Sequence, residues 1–214
     1  MPLVPIQRLT SSTTNVVSAP DRVTAVNSLL AGAAANVVNV GNAPTIWPQL
    51  AKFDNDNTLF AAAPNPQFVW TQPTFIPGET HGFAAVSVTI PLTVGVINEF
   101  LIALTVFADN AVTARVQAFS SLGIDLIPVP GLDVDLNAGS LNPVTGITTD
   151  VANPYNWQNV RFYSIPASLG LITLNLGVRF VFSFQVTNYL TNGAINTAGL
   201  AFAADIYHNP LIIV

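Results

Sequence analysis

The chain has 214 residues, half of them hydrophobic and only 8% charged, against about a quarter charged in an ordinary globular protein. A net charge of -5, with the six basic residues scattered at Arg8, Arg22, Lys52, Arg115, Arg161 and Arg179, provides no basic stripe to neutralise phosphates and excludes nucleic acid as a partner. There is no cysteine, so disulfides and thiolate metal sites are excluded, and no motif implies a cofactor.

A surface so poor in charge has to be built from Asn, Thr, Ser, Gln and apolar groups. It is best explained if copies of the chain cover one another, since isolated soluble domains keep apolar patches small and charge interspersed. The opening Met1-Pro2-Leu3-Val4-Pro5-Ile6 lacks the basic segment and apolar stretch of a secretory signal. Nowhere is an apolar run long enough for a membrane-spanning helix, so membrane insertion is not expected.

In chain order, Ser18-Ala19-Pro20-Asp21 reads as a helix start with Ser18 as the cap, followed by Val23, Val26, Leu29 and Leu30 at helical spacing. A short helix over 19–31 is predicted, with Gly32 ending it. Residues 36–40 read as a strand and 41–82 as Pro-rich loops carrying Trp47 and Trp70. Residues 1–65 are thus expected to form an N-terminal arm with one short helix, and 66–214 a β-sandwich.

Within the second part, segments 83–94, 99–107, 112–119, 159–165, 174–187 and 197–207 are rich in Val, Ile, Phe and Thr and bounded by turn residues, as strands are. Alternation places Phe180, Phe182 and Phe184 on a core face and Val181, Ser183 and Gln185 on the other. Asn192-Gly193 predicts a long hairpin between the last two strands. Residues 120–155, broken by Pro and Gly, read as a long loop.

Four short blocks lie beside these strands: Phe107-Ala108-Asp109-Asn110, Asn156-Trp157, Val186-Thr187-Asn188 and Ala198-Gly199-Leu200. Their order and spacing resemble the galactose-binding-like jelly-roll modules found in bacterial spore-surface and appendage structural proteins. That resemblance implies an all-β, antiparallel jelly-roll sandwich over about residues 83–208. In such modules an Asn-Gly hairpin usually follows the ADN strand, whereas here Gln117-Ala118-Phe119 stands in its place.

Residues with chemical potential are few. His81 and His208 lie in no catalytic motif; His81 is expected to cap a turn and His208 to end the last strand. Glu79 and Glu99 are the only Glu residues for a two-carboxylate glycosidase, a pairing not expected here. Asp54-Asn55-Asp56-Asn57 begins like a calcium loop, but Leu59 replaces the required Gly and Asn65 the bidentate Glu. Asp133 and Asp135 share one face of an extended segment and read as solvated loop acids, with a hard cation as the alternative. Trp47, Trp70 and Trp157 are candidate platforms for glycans, set against simple packing.

Both ends are apolar, with Leu3, Val4 and Ile6 at one and Leu211, Ile212, Ile213 and Val214 at the other. Such segments must pair with their own sandwich or with a neighbour's sheet edge, and either would bury them. The leading expectation is a non-enzymatic subunit that self-assembles into a fibre, appendage or surface layer outside the cell or on a spore. A carbohydrate-binding module is the alternative, and a viral capsid jelly roll a further one.

Overall fold

The computed structural model describes residues 3–41, 60, 63–109, 111–121, 134–137, 161–171, 177–188 and 197–211, with 134–137, 161, 170, 171, 210 and 211 described by their backbone alone. Among the described residues one helix, α1 (Arg22–Leu30), accompanies twelve strands. The strands are β1 (Val4–Thr10), β2 (Val17–Ala19), β3 (Val38–Gly41), β4 (Phe68–Trp70), β5 (Thr80–Val86), β6 (Ile90–Pro91), β7 (Ile97–Asp109), β8 (Ala111–Ser120), β9 (Val134–Asn137), β10 (Arg161–Leu171), β11 (Gly177–Thr187) and β12 (Gly199–Leu211).

These form two six-stranded sheets. Sheet A runs β10-β7-β12-β4-β3, with β1 also paired to β12; sheet B runs β2-β5-β11-β8-β9, with β6 paired to β11. All pairings are antiparallel. From β7 onward the long strands alternate between the sheets: β7, β10 and β12 lie in A, and β8 and β11 in B. The molecule is therefore an all-β sandwich of jelly-roll type.

Period-2 sequences build this arrangement because alternate side chains of a strand point to opposite faces. In β7, Phe100, Ile102, Leu104 and Val106 point inward, and in β8 Val112, Ala114, Val116 and Ala118 do the same. Phe180, Phe182 and Phe184 of β11 are fully buried in the same core, where Phe180 meets Phe100 edge-on and Phe184 stacks on Phe202. Burying a Phe side chain contributes about 1.5–3 kcal/mol, so this aromatic seam holds the sheets together without charge.

Three expectations need correction. β11 and β12 do not form a hairpin: β11 is bordered by β5 and β8 in sheet B, while β12 lies between β7 and the β1/β4 side of sheet A. Both edges of each strand are already taken, so the chain must cross between sheets; Asn192-Gly193 itself lies outside the described residues. The helix is capped by Asp21 rather than Ser18. The Asp21 carboxylate accepts from the Thr24 amide at 2.8 Å and from the Thr24 hydroxyl at 2.7 Å, whereas Ser18 belongs to β2 and bonds to Asn36. Finally, β11 is not the half-buried strand that its alternation suggests, because Val181 and Ser183 on its other face are also fully buried and Val181 lies in a cluster with Ala25, Val26, Ala84 and Phe119 beneath α1.

Other segments extend what the sequence suggests. The segment 83–94 divides into β5 and β6, while β2, β4 and β9 are short strands inside regions read as loops or arm. Residues of the first 41 supply β1, β2, β3 and α1 to the two sheets. Neither β2 nor β4 carries a periodic signal at three residues each; long-range pairing selects them.

Candidate functional site

The outer face of sheet B carries a cleft that α1 overhangs. Alternation along β8 brings Arg115, Gln117 and Phe119 to this face, and along β11 Arg179, Val181, Ser183 and Gln185; the register sets Ser183 beside Arg115, Val181 beside Gln117 and Arg179 beside Phe119. From α1, Arg22, Val26 and Leu30 recur at i, i+4 and i+8, which keeps them on one side of the helix.

Two contacts fix the helix over the sheet. The Arg22 amide donates to Gln185 Oε1 at 2.9 Å, using one of the backbone donors that a helix start leaves unpaired. Gly82 of β5 lets the chain approach so closely that a Cβ there would stand 2.0 Å from the Asp21 carbonyl carbon. Only glycine admits this packing. Hydrogen bonds from the Thr24 amide and then the Thr24 hydroxyl hold the Asp21 carboxyl below its ordinary range, so the cap stays ionised well into acid.

The cleft has a volume of about 310 Å³ and is walled by Arg22, Asn27, Arg115, Gln117 and Ser183, with Val26, Leu30 and Phe119 as apolar lining. Among the residues whose side chains are described, no acidic one lines it. Arg22 and Arg115 each engage a neighbour already, and Asp135 of β9 is in backbone register with Arg115. The Ser183 hydroxyl points toward the Arg115 carbonyl at 3.5 Å, long for a hydrogen bond.

A second cluster lies between β4 and β5. Trp70 Nε1 donates to Glu79 Oε1 at 2.8 Å, the Ile76 amide donates to the same oxygen at 3.2 Å, and His81 Nε2 lies 3.0 Å from Glu79 Oε2. Burial pushes the Glu79 carboxyl up, but the bonds from His81, Trp70 and Ile76 outweigh it and leave it below its ordinary range. Trp70 is fully buried, packed on Phe83 and edge-on to His81. Its place in the core leaves no face for a sugar, which corrects its reading as a glycan platform.

Three of the four sequence blocks reach the same end of the sandwich. Asp109 ends β7 opposite Gly199, and the Thr197 hydroxyl donates to its carboxylate. Asn188 follows β11, is fully buried, and donates from its side chain to the Ile76 carbonyl at 3.0 Å. Gly199 packs against the Phe68 ring, where a Cβ would collide. These residues close the sandwich end.

His208 is buried on β12, stacked on Phe100 at 4.5 Å, with Nε2 3.0 Å from Asn98 Oδ1. Asn98 accepts from the Thr93 amide and donates to the Thr93 and Val96 carbonyls, which fixes its oxygen as the acceptor and the His208 Nε2 as the donor. Burial lowers the His208 pKa. Glu99 lies on β7 opposite Ser168 and Asn209. Among the described residues, no group of three or more His, Cys, Asp or Glu side chains is placed to hold a metal ion.

The apolar N-terminal residues lie at one edge of sheet A. Leu3 and Val4 are exposed, Val4 pairs with His208, and Ile6 is the extra residue of a β-bulge between Pro5 and Gln7. Leu211 ends β12 opposite Ile97. Ile212, Ile213, Val214, Trp47, Trp157, Asp54, Asp56, Lys52 and Asp133 lie outside the described residues.

The α1 cleft is the arrangement that sequence reasoning missed. Its one legible signal is that Arg115, Gln117 and Phe119 alternate on the face opposite the core of β8.

No family model and no curated protein matches the chain. Among solved structures it is similar to the enzymatically active domain of bacteriophage CBA120 tailspike protein 4, at 10% identity and a TM-score of 0.35 over 98% of this chain and 19% of that one. The chain thus spans about a fifth of that protein. It is also similar to TmCBM61, solved in complex with beta-1,4-galactotriose, at 13% identity and a TM-score of 0.33 over 82% of this chain and 81% of that one. Neither likeness is close enough to transfer a function.

Proposed function

We propose that the chain is a non-enzymatic structural subunit that associates with copies of itself through the lateral edges of sheet A, in a fibre, appendage or surface layer outside the cell or on a spore. The observation that carries this reading is the pair of edges itself. Among the described residues β10 pairs only with β7, and β1 only with β12. One edge exposes Phe162, the other Leu3 and Val4. Unpaired strand edges with exposed apolar side chains are templates for adding another strand. Contact between unlike edges is heterologous, and where its rotation does not close it yields a filament.

The groups that would otherwise suggest catalysis are engaged structurally. Glu79 and His81 support Trp70 and the adjoining turn, and His208 bonds to Asn98 inside the sandwich. In this reading β1 serves its own sandwich and offers its outer edge to a neighbour, with the apolar segment ending in Leu211, Ile212, Ile213 and Val214 as a further contact.

Sedimentation velocity over a concentration series, with negative-stain electron microscopy of the concentrated sample, tests this. Growth of discrete higher species, abolished by Phe162→Lys or Val4→Lys, is the expected result. A monodisperse monomer at every concentration overturns the proposal.

A second reading, a saccharide-binding module, is favoured by one observation: the α1 cleft combines side chains that both donate and accept hydrogen bonds with an apolar lining. The two readings concern different surfaces and are independent.

A further inference from the structure

Of the chain's six basic residues, Arg22, Arg115 and Arg179 all lie on the outer face of sheet B or on the helix that covers it. Two of them wall the cleft, and the third keeps a buried Nε without a hydrogen-bond partner beside Phe119 in register. In a chain of net charge -5, half of the basic residues thus gather on one face, where Asp135 of β9 is in backbone register with Arg115. Asp21 is committed to the helix cap, and among the residues whose side chains are described no carboxylate lines the cleft.

The cleft offers three kinds of chemistry at once. Guanidinium groups match a carboxylate through paired N–H donors. Asn27, Gln117 and Ser183 both donate and accept, as a ring of hydroxyl groups requires. Val26, Leu30 and Phe119 supply apolar contact for a C–H face. A volume of about 310 Å³ is at the small end of the range for ligand sites, about 300–1,000 Å³, which suits one sugar ring rather than an extended oligosaccharide.

We infer that the cleft between α1 and sheet B binds a single acidic monosaccharide unit of the hexuronate type, its carboxylate toward Arg22 and Arg115 and its hydroxyls toward Asn27, Gln117 and Ser183. This rests on the saccharide-binding reading and adds the charge of the ligand. Both arginines already have neighbours, so the carboxylate joins an existing polar arrangement rather than filling a vacancy.

Isothermal titration of the full chain with glucuronate and galacturonate is the test, with glucose, galactose and acetate as comparison ligands. Saturable uronate binding is expected, at least about tenfold tighter than for the neutral sugars or acetate, as charge-assisted hydrogen bonds added to ring contacts require. Arg115→Gln should weaken it by at least about tenfold, and so should raised salt in direction. Asn27 is exposed on α1, so Asn27→Ala preserves the fold and should weaken binding severalfold even if Arg115→Gln fails to fold; unchanged affinity in Asn27→Ala overturns the assignment. Equal binding of acetate overturns it as capture of any anion. Equal binding of neutral sugars overturns the acidic specificity while leaving the saccharide reading standing, and no binding of any sugar overturns both.

Discussion

Asp109 is 2% exposed at the end of β7. Burial pushes its carboxyl up to about 6, against a hydrogen bond from Thr197 that pulls it down. An Asp in an unfolded chain titrates near 3.9, roughly two units lower. Between those values the folded state holds a proton that the unfolded state has released. The stability this group contributes is therefore fully present below about pH 4 and lost as the pH rises through 6, at a cost of roughly 3 kcal/mol by neutrality. His208 works in the opposite sense: its depressed pKa leaves stability intact above the ordinary His range and removes it as the pH falls. Asp109→Asn is expected to abolish the first branch alone, so that urea midpoints no longer decline between about pH 4 and pH 6. An unchanged slope in the variant would show that Asp109 is not the source of the decline.

At the scale of elements, α1 depends on one glycine. Gly82→Ala places a methyl group inside the backbone of Asp21 and Arg22, and relief requires the helix to lift from sheet B. The expected cost is about 1–3 kcal/mol, with faster amide exchange across Arg22–Leu30 and weaker binding in the cleft while the sheets persist. Wild-type exchange in the variant would mean that the helix does not rest on β5. The same contact explains what was and was not legible in the chain. The Phe180, Phe182 and Phe184 alternation identifies the core face of β11 because the signal is local. Burial of Val181 and Ser183 on its other face is not legible, since the cover comes from a helix far upstream. Ser18 and Asp21 both suit a cap, and the choice falls to Asp21 once β2 pairs with β5 and takes Ser18 into its strand. Arg22 and Arg115 meet only through the fold, so the cleft has no signature along the sequence. Trp70 is hidden from sequence reasoning for the same reason: its neighbours Phe83 and His81 come from another strand.

At the scale of the whole molecule, the scarcity of charge bears on how copies would meet. Arg8 and Asp205 form a half-buried pair across β1 and β12, with Arg8 Nη2 donating at 2.7 Å, and the Arg8 guanidinium also lies 5.2 Å from the Phe60 ring. That pair stabilises the subunit's own edge strand. An association built on Phe162, Leu3 and Val4 should accordingly persist or tighten as salt is raised from low ionic strength to about 1 M, because screening weakens exposed charge contacts and leaves apolar burial intact. Dissociation by salt, measured by light scattering, would exclude an apolar joint. Pro166 on β10 and the bulge at Ile6 on β1 interrupt the ladders available at the two edges, so the joint is short and side chains carry more of it than a continuous run of backbone bonds.

The position of β12 has a consequence for biosynthesis. It pairs with β7 from Gly199 to Leu211 and with β1 from Ala203 to His208, and it touches β4 at Leu200. A strand encoded after all its partners thus occupies the middle of their sheet. While the ribosome is still short of Gly199, β7 and β1 have no common neighbour, and the inward faces of both remain wet. Completion of sheet A must wait for β12 to emerge, and a nascent chain stalled before it leaves one edge of the long apolar strand β7 without its partner, open to whatever chaperone attends the exit tunnel.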